Sequence, residues 1–264
     1  GLSLYEGYDF YKANIDSKEP VYFFLAWIFS NFGVEKIYFV SFFNSILAYF
    51  SYRFLNKMGG HPFIVFLIVS LSYYSLVLFF SAERLKFGII FLVMALIYSN
   101  KRYIFYTLSL LAHTQTIIII ISLVFLKASK ELSDFFANFK INKKVLLSVI
   151  VAVPIAIGLF VILQDHLLSK FNSYFSLRDI SEVLKLGFVF VASLIYAKSR
   201  KEVFAIFLPL FFFTFIFGGE RINILGYFCF LYFSIHYRKG FNLGVLFTIL
   251  YFLYASFNFL LNII

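Results

Sequence analysis

An all-α, polytopic membrane protein is the fold class the sequence predicts, and three observations carry that expectation. Hydrophobic residues make up 62% of the 264 and mean hydropathy is +0.91, whereas an ordinary soluble domain is roughly half apolar. Apolar runs, many of them rich in the 41 Phe, recur along the whole chain. No stretch is polar enough for a separate soluble domain, so residues 1–264 read as one transmembrane domain. Charged residues are only 14% and gather in short segments between those runs, where they set membrane orientation rather than bind nucleic acid.

In chain order, residues 1–36 read as an outer acidic loop followed by a juxtamembrane helix over 20–33. Pro20 suits that helix's first turn, and Trp27, the only tryptophan, suits the headgroup level. A crossing needs about 20 apolar residues, which selects 37–56, 62–80, 145–163 and 241–263. Shorter runs at 86–99, 183–197, 203–217 and 222–237 read as short crossings, each bounded by charge. The run 103–126 is interrupted by His113, Thr114, Gln115 and Thr116. It reads as two half-helices with His113 near the apex, so that the chain returns to the side it entered.

The charges then sort. One side receives fourteen basic residues, among them Arg53, Lys57, Lys101, Arg102, Arg238 and Lys239, against Glu131, Asp134 and Glu202, a net of +11. That side is cytoplasmic by the positive-inside rule. The other keeps nine basic and ten acidic residues, a net of −1. If 20–33 and 103–126 both crossed instead, Arg53, Lys57, Lys101 and Arg102 would lie outside and Glu83 and Arg84 inside, so the charge division favours the first arrangement. The single cysteine, Cys229, excludes internal disulfides, and no Cys or His spacing suits a metal, so no cofactor is expected. No internal repeat is visible. The chain opens on Gly1 without a signal-peptide pattern, which leaves room for a helix upstream.

Five polar constellations stand out. Glu6-Gly-Tyr-Asp9-Phe-Tyr11 with Lys18-Glu19-Pro20 places three carboxylates and two Tyr hydroxyls before the juxtamembrane helix, a loop that suits a catalytic base or mere solvation. Ser81-Ala-Glu83-Arg84-Leu-Lys86 puts one acid and two bases between apolar runs, where ionisable groups are functional suspects, although an interhelical ion pair with a snorkelling Lys86 has the same pattern. His113 to Gln115 and Thr116 need partners or water at membrane depth. Gly218-Gly219-Glu220-Arg221-Ile-Asn223 reads as a tight outer turn. The outer loop 164–182 mixes charge with aromatic residues, as a lid or an amphipathic surface helix would, and Arg178 is its expected ligand contact.

Gly7-Tyr8-Asp9 with Tyr11, Glu19-Pro20-x-Tyr22, Arg84 opening a crossing, Leu111-Ala112-His113, and Arg221 with Tyr227 together resemble the EpsG-like branch of Wzy-type bacterial polysaccharide polymerases. Leu85 stands where that family commonly has Gln. The N-terminal half also resembles GT-C glycosyltransferases, in which an outer acidic loop and juxtamembrane helices precede a crossing. The resemblance implies a GT-C-like helical bundle with short or broken helices in the bacterial cytoplasmic membrane, its site facing outward. It implies that a hydroxyl of one lipid-linked repeat unit attacks the anomeric carbon of a glycan carried on undecaprenyl diphosphate. Partners would be those lipid-linked oligosaccharides, membrane lipids, and a chain-length regulator and flippase.

Such a reaction wants a carboxylate for the hydroxyl proton and fixed cations for the departing diphosphate. Asp9 is the expected base, with Glu19 and Glu83 as rivals. Arg84 and Arg221 are the first expected phosphate ligands because the guanidinium fork donates paired hydrogen bonds, with Arg178 and Lys86 behind them. His113, Gln115, Glu220 and Tyr11 complete the expected substrate contacts. A flippase for lipid-linked sugars, or a transferase using a polyprenyl monophosphate sugar, are the alternatives.

Overall fold

Proline and short polar breaks decide where the helices begin and end. The computed structural model describes residues 3–15, 19–138, 180–217 and 219–263. All regular structure among them is helical, and they fall into two compact units, Gly1–Ile117 with Ser234–Ile264 and Ile118–Phe233. The expected crossing at 145–163, most of the 164–182 loop, and Arg178 lie outside the described residues.

In the first unit, α1 (Leu4–Ile15) occupies part of what reads in sequence as a loop. Its Gly7 and Tyr11, one turn apart, are buried against α2 (Pro20–Asn31), whose Pro20 stands in the first turn. The 22-residue α3 (Lys36–Lys57) buries Phe39, Phe43, Leu47, Ser51 and Leu55 at four-residue spacing, one continuous stripe. Pro62 starts α4 (Pro62–Leu71), with His61 Nδ1 accepting from Phe63 N–H at 3.3 Å.

The run 62–80 is not one helix. Ser72 adopts extended backbone, and α5 (Tyr73–Phe80) departs at 52° from α4. Side chains reinforce the break: Ser256 Oγ donates to Leu71 O at 2.9 Å, and Ser75 Oγ donates at 3.3 Å to Ile68 O, which also accepts from Ser72 N–H at 3.2 Å.

A sharper break follows. α6 (Glu83–Ile97) and α7 (Arg102–Ala112) meet at 120° through the 3-10 turn Ser99–Lys101. α7 therefore folds back along α6, and Ser109 Oγ donates to Gly88 O at 2.8 Å. Gly88 permits this approach, since a Cβ there would lie 2.6 Å from Thr116 Cγ2 and 3.0 Å from His113 Cβ. Gly88→Ala is expected to destabilise the fold by about 1 to 3 kcal/mol, the usual range for overpacking. A fall in the thermal unfolding midpoint of the purified protein checks this.

α3 and α6 run side by side in one direction and are tied along their length. Lys36 Nζ pairs with Glu83 Oε1 at 3.1 Å, and Lys57 Nζ donates to Ile97 O at 2.9 Å, capping the end of α6. Between these, Lys86 is fully buried and donates to Asn44 Oδ1 and to Phe79 O, the latter at 3.2 Å. Lys86 thus does not snorkel, and its ammonium is occupied by oxygens of α3 and α5. An ammonium with no exposed surface needs these oxygens to offset its desolvation.

The first unit closes with α12 (Leu243–Ile263). Leu243, Phe247, Leu250, Tyr254, Phe257 and Leu261 form one exposed apolar stripe on it, opposite buried Val245, Ile249, Phe252 and Ser256. Tyr237–Leu261 is, among the described residues, the one helix long and apolar enough to cross a membrane, and up to three spans result if each bent pair counts as one. α3 has the length but carries Ser41, Asn44, Ser45, Ser51 and Arg53.

The second unit holds α8 (Ile117–Asn138), α9 (Ile180–Tyr196), α10 (Arg200–Phe217) and α11 (Gly219–Ser234). Phe190 packs its ring on Phe204 and Phe207 at centroid distances of 5.1 and 5.5 Å. Two glycines seat α11 against α9, the close-contact role small residues have between membrane helices. A Cβ at Gly226 would lie 2.6 Å from Leu186 Cδ1, and one at Gly219 only 2.2 Å from Glu182 Cβ.

Candidate functional site

The polar residues of the first unit converge where helices stop. α7 ends at Ala112, His113 is extended (φ −159°, ψ 118°), and the 3-10 turn Thr114–Thr116 leads into α8. The backbone groups exposed by this break are satisfied locally: Thr116 N–H and Oγ1 both donate to His113 O, at 3.1 and 2.8 Å. The break turns the His113 ring toward the start of α2.

There Glu19 occupies the position before Pro20, yet its carboxylate makes no cap to the helix it precedes. It accepts instead from His113 Nδ1 through Oε1, and from Arg84 Nη1 through Oε2 at 3.2 Å. The Glu19 side chain is 7% exposed. A carboxylate so buried is tolerable only when paired and hydrogen-bonded, and both of its oxygens are engaged here. His113 Nε2 lies 3.0 Å from Gln115 Oε1, so the imidazole is held at both nitrogens. Gln115 Nε2 has no hydrogen-bond partner among the described residues.

Arg84 is different in character from the carboxylate it pairs with. Its side chain is 36% exposed, and its Nη1 pairs with Glu19. The guanidinium is thus held by a buried carboxylate while part of its side chain stays open to solvent.

One residue earlier, Glu83 opens α6, where a negative charge complements the helix N-terminus. Its Oε2 accepts from Tyr22 OH at 3.1 Å, and its Oε1 pairs with Lys36. The Glu83 side chain is 24% exposed and that of Lys36 76%, so this ion pair adds little stability. Burial, followed by the Glu83 charge, pushes the Tyr22 phenol above its ordinary range, which keeps it a proton donor to the carboxylate. Tyr22 also sets its ring edge-on to Phe87 at 5.3 Å and lies 6.3 Å from the Tyr11 ring.

The structure thus brings Glu19, Glu83, Arg84, His113 and Gln115 together, with Tyr11 behind Tyr22. Asp9 does not join them. It sits two residues from both Gly7 and Tyr11, on the opposite face of α1, and pairs with Lys12 at 2.7 Å. Lys86 belongs to the buried tie between α3, α5 and α6. Glu220 and Arg221 lie not in a turn but in the first turn of α11, in the second unit, and form no ion pair among the described residues.

In that unit the buried polar contact comes from Asn223, whose Nδ2 donates to Glu182 O at 3.2 Å and to Glu182 Oε2 at 2.5 Å. Sequence reasoning missed Lys36 and Asn44 as partners. Asn44 was detectable as the one carboxamide in the interior of the apolar run 37–56, Asn56 being its last residue. No group of three metal-ligating side chains occurs among the described residues. No protein family, curated protein or solved structure matches this chain.

Proposed function

We propose that this chain is a polytopic membrane glycosyltransferase of the polysaccharide-polymerase kind, acting on glycans carried by undecaprenyl diphosphate at the outer face of a bacterial cytoplasmic membrane. The observation that carries this reading is Arg84, anchored by a buried carboxylate and open to solvent, with a second, accessible carboxylate on the adjacent residue. A fixed, half-open guanidinium suits the paired oxygens of a departing diphosphate. The charge pattern supports the orientation. In the first unit Glu19, Glu35 and Glu83 gather at one end of the α3–α6 pair, whereas Arg53, Lys57, Lys101, Arg102, Arg238 and Lys239 occupy segments at the other without an acidic residue. The acid-free end then faces the cytoplasm.

In this mechanism the acceptor hydroxyl oxygen forms a bond to the anomeric carbon of the donor glycan while the bond from that carbon to the diphosphate oxygen breaks. Arg84 donates to the diphosphate as negative charge grows there. The hydroxyl proton passes to Glu83, whose side chain is 24% exposed and whose Lys36 partner is itself mostly exposed, rather than to Glu19, which is 7% exposed. Glu19 and His113 act as positioning residues for Arg84.

The purified protein, given undecaprenyl-diphosphate-linked repeat units in vesicles, should produce a ladder of products differing by one repeat. A single addition from a polyprenyl monophosphate sugar would replace this reading with the single-transfer one. Translocation of lipid-linked sugar without a new glycosidic bond would replace it with the flippase.

A further inference from the structure

The turn joining α11 to α12 is the most strained backbone among the described residues. Arg238 and Lys239 hold φ of +50° and +55°, and Gly240 follows at +90°. Left-handed backbone is natural for Gly and unfavourable for residues with a Cβ, so two consecutive basic residues are kept there at a cost. The surroundings over-determine the turn. His61 N–H donates to Lys239 O at 2.8 Å, Asn242 Nδ2 donates to Ser234 O and Tyr237 O at 2.9 and 3.2 Å, and Asn242 Oδ1 accepts from Val245 N–H at 3.0 Å. Strain maintained in this way points to a use.

Both side chains are exposed, and among the described residues no carboxylate pairs with either. Arg238 lies over the Tyr237 ring at 5.7 Å. Tyr237 and Phe241, the aromatic residues flanking the turn, are exposed, and the apolar stripe of α12 begins immediately after, at Leu243. Exposed aromatics at the mouth of an apolar helix mark the headgroup level. The turn therefore presents two fixed cations where a lipid's phosphate lies.

We propose that Arg238 and Lys239, adjacent and exposed on the left-handed turn, form a binding site for the phosphate of an anionic phospholipid. This rests on α12 lying in a membrane and is independent of the glycosyltransferase reading. The test uses the full chain in nanodiscs. Phosphatidylglycerol in place of phosphatidylcholine should raise the unfolding midpoint by about 4 to 8 °C, the scale expected for two basic groups at an anionic surface.

R238G/K239G removes the charges and relieves the backbone, so in phosphatidylcholine its midpoint should equal or exceed the parent's, while the phosphatidylglycerol gain disappears. K101N/R102N, at the same acid-free end, should keep most of the gain. A gain retained by R238G/K239G, or no gain in the parent, overturns the proposal. Equal losses in both variants show a diffuse surface charge and overturn it too, as does inorganic phosphate reproducing the gain in phosphatidylcholine. Should R238G/K239G fail to fold, R238N/K239N, whose side chains tolerate left-handed backbone, gives the same readings.

Discussion

Arg84→Ala is expected to slow chain elongation about a hundredfold or more, the effect of losing one well-placed donor worth roughly 2 to 4 kcal/mol in the transition state. Arg84→Lys should rescue poorly, because an ammonium keeps the charge and loses the fork. Length analysis of products from the purified variants, at matched protein level, reads both. A second variant separates chemistry from folding. Glu19→Ala strips the partner from two groups at once and leaves His113 buried beside an unanchored Arg84. Breaking a buried pair on one side costs about 3 to 5 kcal/mol, so this variant should lose thermal stability as well as turnover. Arg84→Ala should lose less stability than Glu19→Ala, since the Arg84 side chain is partly exposed and Glu19 keeps His113 as a partner. Normal ladders from Arg84→Ala would remove Arg84 from the diphosphate.

Glu83→Gln is expected to leave lipid-linked repeat units bound but not joined, with elongation down about 100- to 10,000-fold, the range for a positioned general base. The amide keeps the shape and can still accept from Tyr22 OH. Asp9→Asn is the informative companion. Asp9 forms an exposed pair with Lys12 within α1, and exposed pairs contribute at most about 1 kcal/mol. Its variant should therefore elongate normally. Ladders from Glu83→Gln with none from Asp9→Asn would return the proton to Asp9.

Asp9 shows how much of the site the sequence carried. Its Gly-Tyr-Asp setting made it the expected base, but the same segment is helical, and helical spacing turns Asp9 away from the face that Gly7 and Tyr11 bury. A loop would have imposed no such separation. The interruption at His113 to Thr116 was legible because four polar residues cannot continue an apolar helix unpaired. The pairing of His113 with Glu19, 94 residues earlier, was not, since no local pattern encodes a contact made by α7 folding back. Lys86 looked like a snorkelling residue because its neighbours in sequence are apolar; its partners, Asn44 and Phe79 O, lie on other helices. Breaks inside apolar runs were the hardest to foresee. Ser72 differs little in sequence from Ser70, and the hydroxyl of Ser256, which donates to Leu71 O across the fold, has no local signature.

The ties between α3 and α6 also set which parts of the first unit can move. Lys36 with Glu83, Lys86 with Asn44, and Lys57 with Ile97 O pin this pair at both ends and in the middle, so it behaves as a rigid wall. α2 is held differently. Its far end is wedged by Phe29 among Phe39, Phe42 and Phe43, at ring distances of 5.1 to 5.9 Å. Its near end is held by Glu19, which accepts from His113 Nδ1, and by Tyr22, whose hydroxyl donates to Glu83. Apolar wedging resists opening without any exchange partner, whereas a hydrogen bond can be traded for one to an incoming hydroxyl or phosphate. α2 is thus anchored unevenly, by rings at Phe29 and by exchangeable polar contacts at Glu19 and Tyr22, so its near end is the one whose contacts water or another polar group can replace.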